Sequence, residues 1–282
     1  MVENRPWLDF LTHLILIVGV LIVAFPVYVA FIASTHEPAA FIRGVMPLLP
    51  GDNMGATYSQ MLGSGLEVAG TPPVWLMLGN SFWMAMIIAV GKIAISITSA
   101  FAIVYFRFPF RLLAFWMIFV TLMLPVEVRI IPTFAVVANL GMLNSYAGLT
   151  LPLIASATAT FLFRQFFMTV PEELMEAARV DGAGPMKFFK DILIPISITN
   201  IAALFVIMFI YGWVQYLWPL LITTQEQFYT IVMGIKRLMA NTDREPAWNL
   251  VMATVMLAMV PPVLVVLLLQ RLFIKGLVET EK

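Results

Sequence analysis

Six apolar runs, each about as long as a bilayer is thick, decide what this chain can become. They lie at roughly 12–34, 81–105, 113–135, 144–167, 199–222 and 250–270. At 1.5 Å rise per residue, about 20 mostly apolar residues cross the hydrocarbon core as a helix. Strands of a membrane barrel are shorter and alternate apolar with polar, which these runs do not, so the expected spans are helices. Composition agrees: 61% of the 282 residues are hydrophobic and 11% charged, against about a quarter charged in a soluble domain. The fold class is therefore all-α integral membrane, a single transmembrane domain over 1–282 with six transmembrane helices. Prolines at 26, 125, 132, 152, 219, 261 and 262 fall inside or at the ends of these runs, which predicts kinks or broken helices rather than a plain bundle.

The first run reads as a retained span, because Glu3 and Asp9 stand where a cleaved signal would be basic. The bias of Lys and Arg orients the chain. With the N-terminus cytoplasmic, the inner segments 1–11, 106–112, 164–198 and 271–282 hold ten basic residues in 65, and the outer segments 35–79, 136–143 and 223–249 hold four in 80. Both termini are thus expected in the cytoplasm. The outer loop 35–79, rich in Gly and Pro, is expected to be irregular with one short helix near 58–62, either bare or a docking surface for an extracytoplasmic partner. A second short surface helix is expected at 231–238. Residues 155–160, all Ala, Ser or Thr, read as a packing seam within the fourth span. A formal net charge of zero argues against nucleic acid, and no cysteine is present for a disulfide or thiolate metal site.

The polar stretch 169–197 cannot lie in hydrocarbon. Thr169 followed by Glu172 has the spacing of a capping box, with Pro171 in the first turn. Leu174, Ala177 and Ala178 give the helix a small apolar face, and Asp181-Gly182 supplies its stop. Gly184-Pro185 restarts the chain into a second helix made amphipathic by Met186, Phe188, Phe189, Ile192 and Leu193, and Pro195 is expected to close the hairpin. An amphipathic connector resting on the membrane surface would explain the phenylalanines. A socket on another protein would also explain the compact alanine face.

The run Glu176-Ala177-Ala178, Asp181-Gly182-Ala183, Phe189, Ile192 and Pro195 resembles the EAA loop of ABC-importer permeases, departing mildly at Ile194 and Thr199. Residues 148–156 and 163–167 are similar to the permeases of sugar importers. Residues 4–7, 122–130, 211–219 and 277–282 narrow the resemblance to the branch that imports sn-glycerol-3-phosphate. The resemblance implies the type I importer permease fold in a bacterial inner (plasma) membrane. It implies three partners besides membrane lipids: a second homologous permease subunit, a cytoplasmic ATPase dimer and a periplasmic substrate-binding protein. Glu176, Ala177, Ala178, Asp181, Gly182 and Pro195 would then couple this chain to the ATPase. No cofactor is expected on this chain, because no phosphate-binding loop is found: Gly91-Lys92 lacks the glycine spacing and the following Ser or Thr. ATP and Mg²⁺ would be used by the partner ATPase.

Ionisable residues inside spans are costly and mark sites by default, which singles out Lys92, Glu127 and Arg129. One reading is a structural ion pair of Glu127 with either cation. The other is a phosphate site, since one carboxylate cannot neutralise two cations and Arg fits phosphate oxygens bidentately. Ser96 and Ser99 continue a polar stripe below Lys92, and Tyr211, Gln215 and Trp218 share one helical face, either lining the path or forming an aromatic belt. A membrane enzyme is disfavoured, because no metalloprotease or serine-hydrolase motif and no His near an acidic pair is present. A channel or secondary carrier leaves the hairpin unexplained, and a permease for a neutral oligosaccharide is the nearer alternative.

Overall fold

The computed structural model describes residues 6–42, 47–64, 70–121, 124, 126–240 and 247–279, the side chains at 6, 41, 42, 126, 127 and 273–279 lying outside that description. Among the described residues the protein is helical, without a β-strand. In chain order the helices are α1 (Pro6–Ser34), α2 (Ala39–Ile42), α3 (Met54–Gly63), α4 (Val74–Tyr105), α5 (Arg111–Val120) and α6 (Val126–Asn139). Next come α7 (Tyr146–Thr150) with a 3-10 turn at Leu151–Leu153, α8 (Ala157–Phe167), α9 (Glu172–Val180), α10 (Pro185–Phe188), a π-helical stretch Phe189–Leu193 and α11 (Ile194–Ile196). The chain finishes with α12 (Ile198–Trp213), α13 (Leu217–Ile222), α14 (Ile231–Ala240) and α15 (Trp248–Glu279).

Among the described residues, Trp7–Ser34, Val74–Tyr105 and Trp248–Leu272 are each long and apolar enough to cross a membrane unaided. Two further candidates are bent pairs: Tyr146–Leu153 with Ala157–Phe167 at 46°, and Pro185–Ile196 with Ile198–Trp213 at 73°. The third apolar run divides between α5 and α6. Pro152 and Pro195 stand just ahead of the two bends, and Pro219 sits in the first turn of α13. The missing N–H of Pro219 costs nothing there, because first-turn N–H groups have no partner within the helix.

The chain divides into two compact units. The first comprises Met1–Leu76 with Gly234–Val260. Its α1 is apolar on every side and exposed along most of its length, with burial confined to its C-terminal end at Ile32 to Ser34. A helix apolar all round needs lipid or protein against it. The loop that follows is irregular but organised on Thr35: its hydroxyl accepts from the Gly51 N–H at 2.8 Å, and its carbonyl accepts from the Asn53 N–H at 3.0 Å. The short helix expected near 58–62 is α3, whose Tyr58 hydroxyl shares a 2.9 Å hydrogen bond with Ser34. The helix expected at 231–238 is α14, which buries Ile231, Met233 and Leu238 on one face and leaves Lys236 and Met239 exposed on the other.

The second unit comprises Met77–Met233 with Pro261–Lys282. Met84 and Ile88 of α4, Val137 of α6, Leu149 of α7, and Trp218 and Ile222 of α13 form one buried cluster. A polar layer caps it. Asn80 donates to the carbonyls of Gln227 and Tyr229 at 2.8 and 3.0 Å and accepts from the Tyr146 hydroxyl at 2.5 Å, while Ser81 accepts from the Ile231 N–H. Asn144, with a φ of 51°, takes the left-handed turn that asparagine tolerates. Its Oδ1 accepts from the N–H groups of Thr224 and Gln225 at 2.7 and 3.1 Å. Toward the C-terminal end of α4, about 38 Å along its axis from Asn80 at 1.5 Å per residue, lies an aromatic cluster of Phe101, Tyr105, Phe167, Phe188 and Phe189.

Candidate functional site

Two places in the second unit gather the residues singled out from sequence. The first is a cavity of about 440 Å³ lined by Lys92, Arg129, Ile130, Thr133, Pro152, Leu153, Ala155, Tyr211 and the run 214–218. Five of the six path candidates, Lys92, Arg129, Tyr211, Gln215 and Trp218, converge here. Glu127 belongs to α6, but its side chain lies outside the described residues. Lys92 stands near the middle of α4, about 18 Å from Asn80 and 20 Å from Tyr105 by helical rise.

Helix breaks make the cavity. The small-residue stretch 155–160 is not the interior of a continuous span. The chain bends there, and Ser156 caps α8 by accepting from the Ala159 N–H at 3.2 Å. Serine favours that role because its hydroxyl satisfies an N–H that the first helical turn leaves free. The packing-seam reading survives in part, since Ala159 and Thr160 are buried and the Ser156 carbonyl accepts from Ser96 Oγ of α4 at 3.1 Å. Tyr211, Gln215 and Trp218 likewise meet across an interruption rather than along one helix, because α12 ends at Trp213 and α13 begins at Leu217.

Lys92 is buried, with its ammonium 3.7 Å from the centroid of the Tyr211 ring. A desolvated cation over a ring is worth about 2 kcal/mol. Among the described residues no oxygen forms a hydrogen bond or ion pair with it. Arg129 is exposed to the cavity. Trp218 Nε1–H donates to the Gly148 carbonyl at 3.1 Å and Gln215 Nε2 to the Tyr211 carbonyl at 3.1 Å. Trp218 thus has its one polar hydrogen engaged, while Gln215 keeps its Oε1 and one N–H without a protein partner among the described residues. The expected polar stripe does not extend from Lys92: Ser99 bonds the Ile95 carbonyl of its own helix, Ser96 bonds Ser156, and neither lines the cavity. Thr133, Tyr216 and the 152–155 turn are not among the residues the sequence singles out as lining, although Pro152 stands ahead of one break and Pro219 just after the other.

The second place is the hairpin. α9 begins at Glu172 with Pro171 as its cap, and the expected capping box does not form, because the Thr169 hydroxyl donates back to the Phe166 carbonyl at 2.7 Å. That residue finishes the preceding helix instead of starting the next. The stop is as expected: Gly182 has φ +73°. The Ala183 N–H bonds the Ala178 carbonyl at 2.8 Å and the Gly182 N–H bonds Arg179 at 3.0 Å, a Schellman closure. Pro195 does not close the hairpin, since the helical path continues through it to Ile196 and bends at Ser197, whose hydroxyl bonds the Leu193 carbonyl at 2.5 Å.

The phenylalanines face inward. Phe189 packs on Phe101 with centroids 4.6 Å apart and Phe188 on Tyr105 at 5.3 Å, so the second helix is docked against the end of α4 rather than spread on a membrane surface. The alanine pair divides: Ala178 is buried and Ala177 exposed. Glu176, Asp181, Gly182 and Pro195 are exposed, as are Leu174, Val180 at 88% and Met186 at 70%.

Residues 92–279 match the model of a family described as the inner membrane component of binding-protein-dependent transport systems. The chain is 59% identical, over the full length of both, to the sn-glycerol-3-phosphate transport system permease protein UgpE of Agrobacterium fabrum. It is 57% identical to the protein of the same name from Rhizobium meliloti and 58% to that from Escherichia coli O157:H7, again over all of each chain. Its fold matches, with a TM-score of 0.81 and 20% identity over 96% of this chain and 98% of the other, a chain in the crystal structure of a bacterial ABC transporter involved in the import of the acidic polysaccharide alginate. The chain therefore belongs to the family of binding-protein-dependent inner-membrane components: it is a multi-pass permease subunit of an ABC importer, a transporter rather than an enzyme, working with an ATPase and a substrate-binding protein.

Proposed function

We propose that this permease carries sn-glycerol-3-phosphate, and glycerophosphodiesters with it, across the inner membrane. The cargo named for relatives 57–59% identical over their whole length supports the reading. The observation that carries it in this chain is the pair of cations, Lys92 and Arg129, on one cavity between broken helices. Interrupted helices line a cavity in a membrane protein because freed backbone groups need water, cargo or protein partners.

Six spans with both termini cytoplasmic follow from the apolar runs and the basic-residue bias. A second, homologous permease subunit would cover the exposed faces that lipid does not, and α1 is the largest of these. The hairpin would be the cytoplasmic handle for the ATPase dimer. There Ala177, Leu174, Val180 and Met186 would offer the apolar contacts, Glu176 and Asp181 the polar ones, Ala178 and Gly182 the closed turn beneath, and Pro195 would stand just ahead of the bend at Ser197. ATP and Mg²⁺ belong to that partner.

Uptake by the reconstituted complex tests the reading. With the binding protein and ATP present, sn-glycerol-3-phosphate is expected to accumulate, glycerophosphodiesters more slowly, and maltose not at all. A preference for maltose would make this the permease of a neutral oligosaccharide. Uptake that persists without the ATPase would make it a secondary carrier.

A further inference from the structure

Resting on that reading, we infer that the cavity is a two-cation phosphate subsite of this subunit, in which Tyr211 serves as the resting place of Lys92. The lining is divided by chemistry. One part carries the Lys92 ammonium and the Arg129 guanidinium; the rest, Thr133, Gln215, Tyr216 and Trp218, is uncharged. No carboxylate lines the cavity among the described residues. Two cations with no carboxylate beside them among the described residues suit a doubly charged group, and a guanidinium fork beside a point-like ammonium grips phosphate oxygens from two sides. The volume of about 440 Å³ lies in the range of small-molecule sites.

The uncharged part fits the remainder of a small polyol phosphate. The Trp218 N–H and one N–H of Gln215 are engaged by the carbonyls of Gly148 and Tyr211. What remains is an aromatic ring for a carbon backbone, and on Gln215 an amide oxygen to accept from a hydroxyl with one amide N–H left to donate. The cargo class is thus a phosphomonoester with hydroxyls on a short carbon chain.

A transporter has to release what it binds, and Tyr211 supplies the means. The Lys92 ammonium, 3.7 Å from the ring centroid, has a partner when the site is empty. Phosphate draws the flexible lysine off the ring, and the ring takes the cation back as phosphate leaves. A buried lysine lacking such an alternative would hold the dianion too tightly for passage. Tyr211 is in this sense a positioning residue, acting through Lys92.

The experiment is uptake by the full complex in proteoliposomes, with sn-glycerol-3-phosphate, a dianion, beside glycerophosphoethanolamine, whose phosphodiester bears one negative charge. Accumulation of the monoester by the wild-type complex is the control for the reading above, and failure there removes that reading first. Given wild-type uptake, Lys92→Met and Arg129→Gln are each expected to slow the monoester by about tenfold or more, the scale of one charge-assisted hydrogen bond. The diester should be slowed clearly less, because one remaining cation still matches it. Tyr211→Leu should lose monoester uptake and Tyr211→Phe, which keeps the ring, should restore it. Wild-type rates in both cation variants, equal losses for monoester and diester, or loss of the assembled complex in place of transport would each overturn the assignment.

Discussion

The cavity and the hairpin are both built where helices stop, yet the stops are finished in different ways. After α9 the chain closes on itself: the N–H groups of Gly182 and Ala183 reach carbonyls within five residues. At the cavity the broken ends are held from far away in sequence, Ser96 reaching Ser156 across 60 residues and Trp218 reaching Gly148 across 70. A break closed locally makes a rigid handle that can be pushed. One closed by distant partners can open when those partners move, as a passage through a membrane requires. The hairpin's own tie to the membrane helices is separate from its turn and is aromatic.

That distinction can be broken most forcefully at the aromatic tie. Phe188→Ala and Phe189→Ala each remove a nearly buried ring seated on Tyr105 or Phe101, a change worth about 3–5 kcal/mol. The expected outcome is a hairpin cut readily by protease and an ATPase no longer stimulated by the loaded binding protein. If the turn alone held the handle in place, the protease pattern would not change.

A smaller effect, at the other region, is expected from Gly148→Ala. A Cβ there would stand 2.1 Å from the backbone carbonyl oxygen of Met142, which cannot swing aside as a side chain can. α7 has to shift, and the Trp218 bond to the Gly148 carbonyl goes with it; overpacking of this kind costs about 1–3 kcal/mol. Thermal unfolding of the purified complex should move down and uptake should fall, with the hairpin's protease pattern unchanged. A variant that exposes the hairpin instead would show that the two regions are not separately held.

How much of this was legible in the sequence follows the same divide. The stop at Asp181-Gly182 and the restart at Gly184-Pro185 are local chemistry, readable from four residues. Lys92 and Arg129 are visible because charge inside an apolar run is costly, but their convergence with Tyr211 and Gln215 depends on which helices are neighbours, which the sequence does not state. The break at 154–156 is not legible, because alanine, serine and threonine serve a helix interface and a helix start alike. The structure makes the stretch serve both: Ser156 caps α8 through the Ala159 N–H, and its carbonyl takes the bond from Ser96 of a distant helix. Thr169 misled for a related reason: its hydroxyl could end one helix or begin the next, and the nearer carbonyl of Phe166 prevailed. The burial of Phe188 and Phe189 against α4 depends on where α4 ends, which no local pattern states.

The smallest expected effect separates the two glycines by mechanism. At Gly182 nothing lies within 4 Å of where a Cβ would be, but φ is +73°. An L-residue is strained there by about 1–2 kcal/mol whatever the space around it. Gly182→Ala should therefore lower the unfolding temperature of the complex modestly, and Gly182→Asn should recover most of the loss, because asparagine tolerates the left-handed region. At Gly148 the difficulty is an oxygen in the way rather than a forbidden angle, so Gly148→Asn should be worse than Gly148→Ala. The same pair of substitutions thus runs in opposite order at the two breaks. Equal ranking at both would mean that backbone angle and crowding are not what distinguish a turn closed on itself from one wedged against a neighbour.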